Sequence, residues 1–109
     1  MRNMANEEIV CSAIKHRKQI RFRYKDQSHH REFNPHAVYY SAKDSSVVMT
    51  WGIQIRNEEE PLAPRGIRKF EVSLMIDISI LDRVFQPDPN FIVAANEFRN
   101  GIICAVGRS

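Results

Sequence analysis

Apolar and cationic positions alternate strictly over the stretch QIRFRYKD, residues 19–26. The apolar side chains are Ile20, Phe22 and Tyr24, and the ones between and after them are Arg21, Arg23 and Lys25. A period of two predicts a β-strand with one apolar face and one cationic face. The cationic face either keeps an exposed strand soluble or recognises a polyanion, and the pattern leaves both interpretations open.

The segment before this strand has a helical period instead. Its apolar residues fall on one stripe, which predicts a short amphipathic helix that packs on the sheet. Asn6 is a candidate N-cap, acidic residues follow it, and basic residues stand near the expected end of the helix. The stripe consists of Ile9, Val10, Ala13 and Ile14.

Further extended segments follow at short intervals. A second strand begins near Arg31, Pro35 marks an edge or a bulge, and the residues 36–40 continue as a third extended piece. The β-branched run 47–55 is predicted to be the most buried strand. The stretch 56–66 has the composition of a loop, and 67–81 supplies one bent strand or two short ones.

The pattern changes after Phe85, where QPDPN interrupts the chain. We therefore expect a main domain at 1–86 and a C-terminal extension at 87–109 that contains a short helix and docks on the domain or on a partner. One helix followed by five or so short antiparallel strands predicts a mainly β fold that fits a small barrel.

Composition places the chain among ordinary soluble proteins. Its 109 residues are 43% hydrophobic and 27% charged, as in a single small domain. No apolar run has the length of a membrane span, and the N-terminus lacks the apolar core of a secretory signal, which predicts a cytoplasmic protein without membrane association. Cys11 and Cys104 stand far apart, and we expect structural thiols rather than a disulfide framework.

The formal charge of +3 is concentrated near the N-terminus, where residues 15–25 contain six Lys or Arg and no acid. A local basic patch is the electrostatic footprint that a polyanion requires. Exposed strand faces also carry Lys and Arg by default, so the patch does not by itself identify a ligand.

Motifs of catalysis are missing from the sequence. It contains no phosphate-binding glycine loop, nucleophile elbow or paired metal-ligand motif, so we expect a non-enzymatic protein without a cofactor or a metal. His29 and His30 are adjacent in a predicted turn, which favours solvated side chains over chelation.

Cations and aromatics near the ends of the predicted strands are the remaining candidates for a binding site. Arginine offers planar recognition of phosphate, and aromatic faces stack on bases. Trp51 is either a stacking residue or part of the core, and Tyr24 is a second candidate for stacking. The candidate cations are Arg21, Arg23, Arg31, Arg65, Arg68 and Lys69.

The order of these pieces resembles the WYL domain family of bacterial regulatory domains. The resemblance runs from about Ala13 to Phe85 and is carried by AIKHRKQIRFRY, by REFNP at 31–35, by the β-branched strand, and by RKFEV at 68–72. Arg31 matches the arginine before the family's proline, Arg68 matches the arginine of the later R-x-F step, and Phe70 matches its aromatic residue. The name-giving aromatics are replaced by Ser46, Val47 and Val48, and Ser73 and Leu74 stand where Asp and Arg are usual.

The resemblance implies an SH3-like or Sm-like β-barrel and a ligand-sensing role in transcriptional regulation. Its ligand class is nucleic acid, in particular single-stranded DNA or an oligonucleotide, or another anionic ligand, and its partner is a DNA-binding regulatory protein. The 109 residues lack room for such a DNA-binding module, so the chain is expected to be standalone or an excised piece. The alternative is a protein-interaction or oligomerisation module that has lost the ligand pocket, in which the apolar tail 101–106 adds a strand to a partner sheet.

Overall fold

The structure, a computed structural model, describes residues 2–60 and 65–107. It contains one α-helix, six β-strands and two short 3-10 turns in the described ranges. The elements are α1 (Met4–Lys15), β1 (Lys18–Tyr24), β2 (Arg31–Tyr40), β3 (Val48–Asn57), β4 (Gly66–Glu71), β5 (Met75–Val84) and β6 (Ile102–Ala105), with the 3-10 turns at Val72–Leu74 and Asn96–Phe98. No helix in these ranges is long and apolar enough to span a membrane.

The strands form one antiparallel sheet with the order β4-β3-β2-β1-β5. The first part of β2 pairs with β1, and its second part pairs with β6 along the same edge. The register of β2 shifts between Pro35 and Ala37, because proline cannot donate a ladder hydrogen bond. The predicted irregularity at Pro35 is confirmed, but the two extended pieces around it are one strand.

The mainly β fold with an N-terminal helix is confirmed, whereas the closed barrel is not. Within the described residues, β4 and β5 lie at opposite ends of the sheet and do not pair with each other. The 3-10 turn Val72–Leu74 separates them, and Asp77 in β5 has a positive φ of 54° beside a register shift. Such bulges bend an edge strand away from regular pairing. Hydrophobic periodicity predicts strands, but it carries no information on whether the outermost edges meet.

An aromatic cluster fills the inner face of the curled sheet. Phe22 of β1, Phe33 of β2 and Phe70 of β4 contact one another edge to face, with ring centroids 5.1–6.0 Å apart. Gly52 of β3 lies beneath the ring of Phe33, where a side chain would clash with it. Contrary to the prediction, β2 rather than β3 has the longest continuous buried stretch, since its residues 33–39 are all buried.

The helix begins three residues earlier than its pattern predicted. Asn3 is the N-cap, and its Oδ1 accepts a hydrogen bond from the backbone N–H of Asn6 at 3.0 Å. Asn6 instead donates from its side chain to the carbonyls of Val72 and Met75, which ties the helix to the link between β4 and β5. The predicted stripe is buried at Val10, Ala13 and Ile14, although Ile9 is only half-buried.

The two cysteines form a disulfide bond, which corrects the expectation of free thiols. Cys11 of α1 and Cys104 of β6 lie 93 residues apart in the sequence, and their Cα atoms are 5.9 Å apart in the fold. The sequence could not show this proximity, because it depends on β6 pairing with β2 beside the helix. The cysteines therefore no longer support the cytoplasmic location, which stays a prediction.

Residues 85–101 cover the face of the sheet opposite the Phe22 cluster. His36 and Trp51 lie on that face, and the ring of Phe91 packs against both, at centroid distances of 5.5 and 5.1 Å. The imidazole Nδ1 of His36 lies 2.8 Å from the Asn34 carbonyl, and its Nε2 accepts the backbone N–H of Asp88 at 2.9 Å. The extension is thereby attached to β2 both by this hydrogen bond and by β6.

Candidate anion-binding site

The cationic face of β1 is paired with acids rather than left open. Arg21 Nη2 contacts Glu58 Oε2 at 2.8 Å, and Arg23 Nη2 contacts Asp77 Oδ2 at 2.6 Å. Lys18 pairs with an acid in the same way, because its Nζ lies 3.0 Å from an oxygen of Asp82. Exposed ion pairs of this kind contribute little to stability, but they neutralise the face. Arg21 and Arg23 therefore have partners within the chain.

Glu58 organises this region through several hydrogen bonds. Its carboxylate accepts the backbone N–H of His30 and the guanidinium of Arg21, both at 2.8 Å, and it lies 3.3 Å from His30 Nδ1. The hydrogen bond from the His30 backbone, followed by the one from Arg21, lowers the pKa of Glu58 to about 2. His29 similarly lies 3.3 Å from the carboxylate of Glu59. The turn that contains His29 and His30 and the acidic run 58–60 are therefore joined by these contacts.

Trp51 is 4% exposed and lies in the core on the outer face of the sheet. Its ring packs against His36 at 5.4 Å and Phe91 at 5.1 Å. The sequence left open whether Trp51 stacks on a ligand or belongs to the core. The structure shows it in the core, and its ring has no free face for a base. Burial follows from the C-terminal extension, whose path across the sheet the local sequence around Trp51 does not reveal.

Arg31 and Arg68 lie on the same inner face of the sheet, next to the aromatic cluster, and the charge of Arg68 acts on Arg31. Arg31 begins β2, and its guanidinium carbon lies 5.4 Å from the ring centroid of Phe70. Arg68 precedes Phe70 by two residues on β4, so both side chains belong to the same face of that strand. The sequence separates the two arginines by 37 positions, and the pairing of β2 with β3 and of β3 with β4 brings them together.

Two amide side chains hold the guanidinium of Arg31. Its Nη1 donates to Gln54 Oε1 at 2.8 Å, and its Nη2 donates to Gln27 Oε1 at 3.0 Å. Its Nε is buried and has no hydrogen-bond partner in the ranges that the structure describes. Burial lowers the pKa of Arg31 and the charge of Arg68 lowers it further, whereas Glu59 and Glu60 act in the opposite direction. The site therefore holds a partly desolvated Arg31 within the electrostatic reach of an exposed Arg68.

Tyr24 completes one side of this group. Its ring lies 4.9 Å from that of Phe70, and its hydroxyl accepts the backbone N–H of Glu71 at 3.0 Å. Burial raises the pKa of Tyr24, so the phenol stays neutral around pH 7. We call Arg31, Arg68 and Tyr24, with Gln27 and Gln54, the inner arginine site.

The inner arginine site contains three of the eight candidate residues from the sequence. Arg65 is exposed just before β4 and borders a groove on the outer face, so the structure does not group it with Arg31. Gln27 and Gln54 were missed, because a glutamine in a strand or turn carries no local sign of a binding role. Only the register, which places Gln54 opposite Phe33 in the β2–β3 ladder, shows that it reaches Arg31.

The positions at which the chain departs from the WYL pattern lie around a small cavity of about 10 Å³. Ser46, Val48 and Ser73 line it, and the Arg2–Glu7 ion pair lines its other side. Glu7 is buried, and Arg2 donates to both of its carboxylate oxygens, at 2.7 and 3.1 Å. A space of this size holds about one water molecule. The chain's own N-terminal residues therefore occupy this region.

Together, the fold and the site define a small β domain with two arginines on the inner face of a curled sheet. The structure is similar to proteasome accessory factor B/C (PafBC) of Arthrobacter aurescens, with a TM-score of 0.53 and 21% sequence identity. The likeness covers 80% of this chain and 13% of that chain, and it shows a shared fold. No protein-family model matches the sequence, and no curated protein matches it.

Proposed function

We propose that this chain is a regulatory, ligand-sensing domain that binds single-stranded nucleic acid, or another anionic ligand, through the inner arginine site. The observation that carries the proposal is the convergence of Arg31 and Arg68 from separate strands. Arg31 is partly buried and lies within the electrostatic reach of the like charge of Arg68; Glu59 and Glu60 offset part of this cost, and a phosphate group bound between the two guanidinium groups would offset it directly. Membership of the WYL family belongs to this proposal, and the shared fold with PafBC supports it.

The two arginines have different roles in this proposal. Arg31 is oriented by Gln27 and Gln54, so its donors are fixed before the ligand arrives and little conformational entropy is lost. Arg68 is exposed, and among the described residues its guanidinium donates only to the carbonyl of its neighbour Ile67, from Nη1 at 2.9 Å, so it is free to reorient toward a phosphate. Tyr24 is the aromatic residue placed to contact a base, since Trp51 is buried.

Titration of a labelled single-stranded oligonucleotide at several salt concentrations tests the proposal. Two phosphates held by two arginines predict a log–log salt slope of about −1.4 for a single strand. Arg68→Gln should weaken binding by about tenfold and reduce the slope by about 0.7, because it removes one charge-assisted contact. Arg31→Gln should do the same, although this partly buried residue also supports the fold.

The control is Lys43→Gln, which removes one exposed cation from the β2–β3 connection and should leave binding and slope close to those of the original chain. Circular dichroism establishes that each variant is folded. The proposal fails if no binding is detected at low salt, or if Arg68→Gln and Lys43→Gln weaken binding equally, since equal losses indicate nonspecific attraction.

The structure removes one of the observations that favoured the alternative function, a protein-interaction or oligomerisation module. The apolar tail that was expected to pair with a partner contains β6, and β6 pairs with β2 of the same chain. What favours the alternative now is β5, an edge strand with exposed Ile76, Ile80 and Val84. Light scattering at several protein concentrations tests it, and a monomer throughout would argue against self-association through β5.

A further inference from the structure

A groove of about 450 Å³ crosses the outer face of the sheet, away from the inner arginine site. Its volume falls within the range of about 300–1,000 Å³ that is usual for small-molecule sites. Residues from β1, β2, β3 and β5 and the residue just before β4 line it, and we call it the outer groove. The lining residues are Gln19, Glu32, Ile55, Arg56, Arg65 and Arg83.

Three guanidinium groups and one carboxylate face this groove. Arg83 is already engaged, because its Nη2 contacts Glu32 Oε1 at 3.0 Å. Arg56 and Arg65 are exposed and form no ion pair with any residue in 2–60 or 65–107. The paired cations of β1 show that this chain elsewhere supplies an acid for an outer-face arginine. The outer groove therefore keeps an excess of positive charge, which suits an anion with planar, multi-donor recognition.

A buried acceptor beside the groove narrows the chemical class of the ligand. The side-chain oxygen Oε1 of Gln19 is buried and has no donor among the described residues. A buried acceptor without a donor costs free energy. Because Gln19 also lines the groove, rotation of its side chain would bring this oxygen to a hydroxyl or amino hydrogen of a ligand. The same groove thus offers donors for an anion and an acceptor for a neutral polar group.

We infer that the outer groove binds a small phosphate monoester that also carries hydroxyl groups, such as a sugar phosphate. Arg56 and Arg65 hold the phosphate, the hydroxyl group donates to Gln19 Oε1, and Arg83 stays on Glu32 as part of the wall. This site is independent of the inner arginine site, since it lies on the opposite face and shares no residue with it.

The experiment compares ribose 5-phosphate with methyl phosphate and with ribose by isothermal titration calorimetry at pH 8. Methyl phosphate is a dianion without a donor at that pH, and ribose has the hydroxyl groups without the charge. Ribose 5-phosphate should bind more tightly than both. Arg56→Gln and Arg65→Gln should each weaken its binding by about tenfold, as expected for the loss of a charge-assisted hydrogen bond.

Gln19→Leu separates the two parts of the inference. It should reduce the affinity for ribose 5-phosphate to about that for methyl phosphate, while leaving methyl phosphate unchanged. Equal affinities of the two phosphates for the original chain would overturn the role of Gln19, and unchanged binding in Arg56→Gln and Arg65→Gln would overturn the site.

Two control variants keep the test specific. The double variant Lys15→Gln/Lys43→Gln removes the same charge as Arg56→Gln/Arg65→Gln, but from exposed positions away from the groove, and should bind normally. Arg68→Gln removes part of the inner arginine site and should also leave ribose 5-phosphate binding intact. Loss of binding in Arg68→Gln would assign the ligand to the inner site and overturn the inference, whereas failure of oligonucleotide binding alone bears only on the proposed function.

Discussion

The bond between Cys11 and Cys104 closes a loop that spans 93 of the 109 residues. Reduction of this bond gives the unfolded chain nearly all the freedom of an open polymer. The native contacts of α1 and β6 stay in place unless the fold itself opens. The effect on the free energy of unfolding therefore comes mainly from the denatured state in the chain-entropy account.

The size of the effect follows from the loop length. For a loop of this length the chain-entropy relation gives about 4.6 kcal/mol at 25 °C. This is a large part of the 5–15 kcal/mol that is roughly typical of a whole small domain. With a urea m-value of about 1.5 kcal/mol/M, the midpoint of unfolding should fall by about 3 M on reduction.

Urea unfolding followed by tryptophan fluorescence measures this shift, because the single Trp51 is buried in the folded chain. The oxidised chain is compared with the chain in a phosphine reductant and with the double variant Cys11→Ser/Cys104→Ser. The reduced chain and the double variant should unfold at similar urea concentrations. Reductant should have no effect on the double variant, which controls for any direct action of the reagent.

Two results would refute this reasoning. A thiol assay of the denatured, unreduced chain should detect no free thiol, and two thiols per chain would show that the bond does not form. Coincident unfolding curves for oxidised and reduced protein would show instead that the bond forms without restricting the denatured ensemble.

Two further predictions concern the buried residues of the sheet. Burial lowers the pKa of His36, so the fold favours the neutral imidazole. The contribution of His36 to the free energy of unfolding should be full above pH 6.5 and fall as the pH drops below it, by at most about 1.4 kcal/mol per pH unit. Urea unfolding from pH 8 to pH 5 measures this, and a His36→Gln variant with the same pH dependence would contradict it. Gly52→Ala should destabilise the fold by about 3 kcal/mol or more, because the new Cβ would lie 2.5 Å from Cζ of Phe33. The control Gly107→Ala should unfold at the original urea concentration, because no atom of the described chain lies within 4 Å of the Cβ that it adds.

Local pattern predicted the elements better than it predicted their contacts. The alternation around Phe22, the helical stripe at Val10 and the irregularity at Pro35 are properties of a few neighbouring residues, and each is present in the structure. The bond of Cys11 to Cys104 and the open edges of β4 and β5 depend on residues far apart in the chain. Such contacts follow from register and topology, which periodicity does not encode.

For the candidate site, too, the sequence predicted some residues and missed others. Arg31 and Arg68 were selected through the resemblance to WYL domains, and the structure does place them together, but the resemblance said nothing of Gln27 and Gln54. The sequence left two interpretations of Trp51 open, because the burial of its ring depends on the C-terminal extension, whose path over the sheet is a tertiary property.

The division of the arginines shows why a basic stretch of sequence is a weak guide to a binding surface. Arg21 and Arg23 stand in the most basic segment of the chain, yet each meets a carboxylate that lies 37 or 54 residues away in the sequence. Arg56 and Arg65 flank an acidic run rather than a basic one, yet neither forms an ion pair with an acid in the described part of the chain. A cation recognises an external anion only when the fold has not already neutralised it. The search for ligands of this chain should therefore begin from unpaired guanidinium groups rather than from the most basic segment.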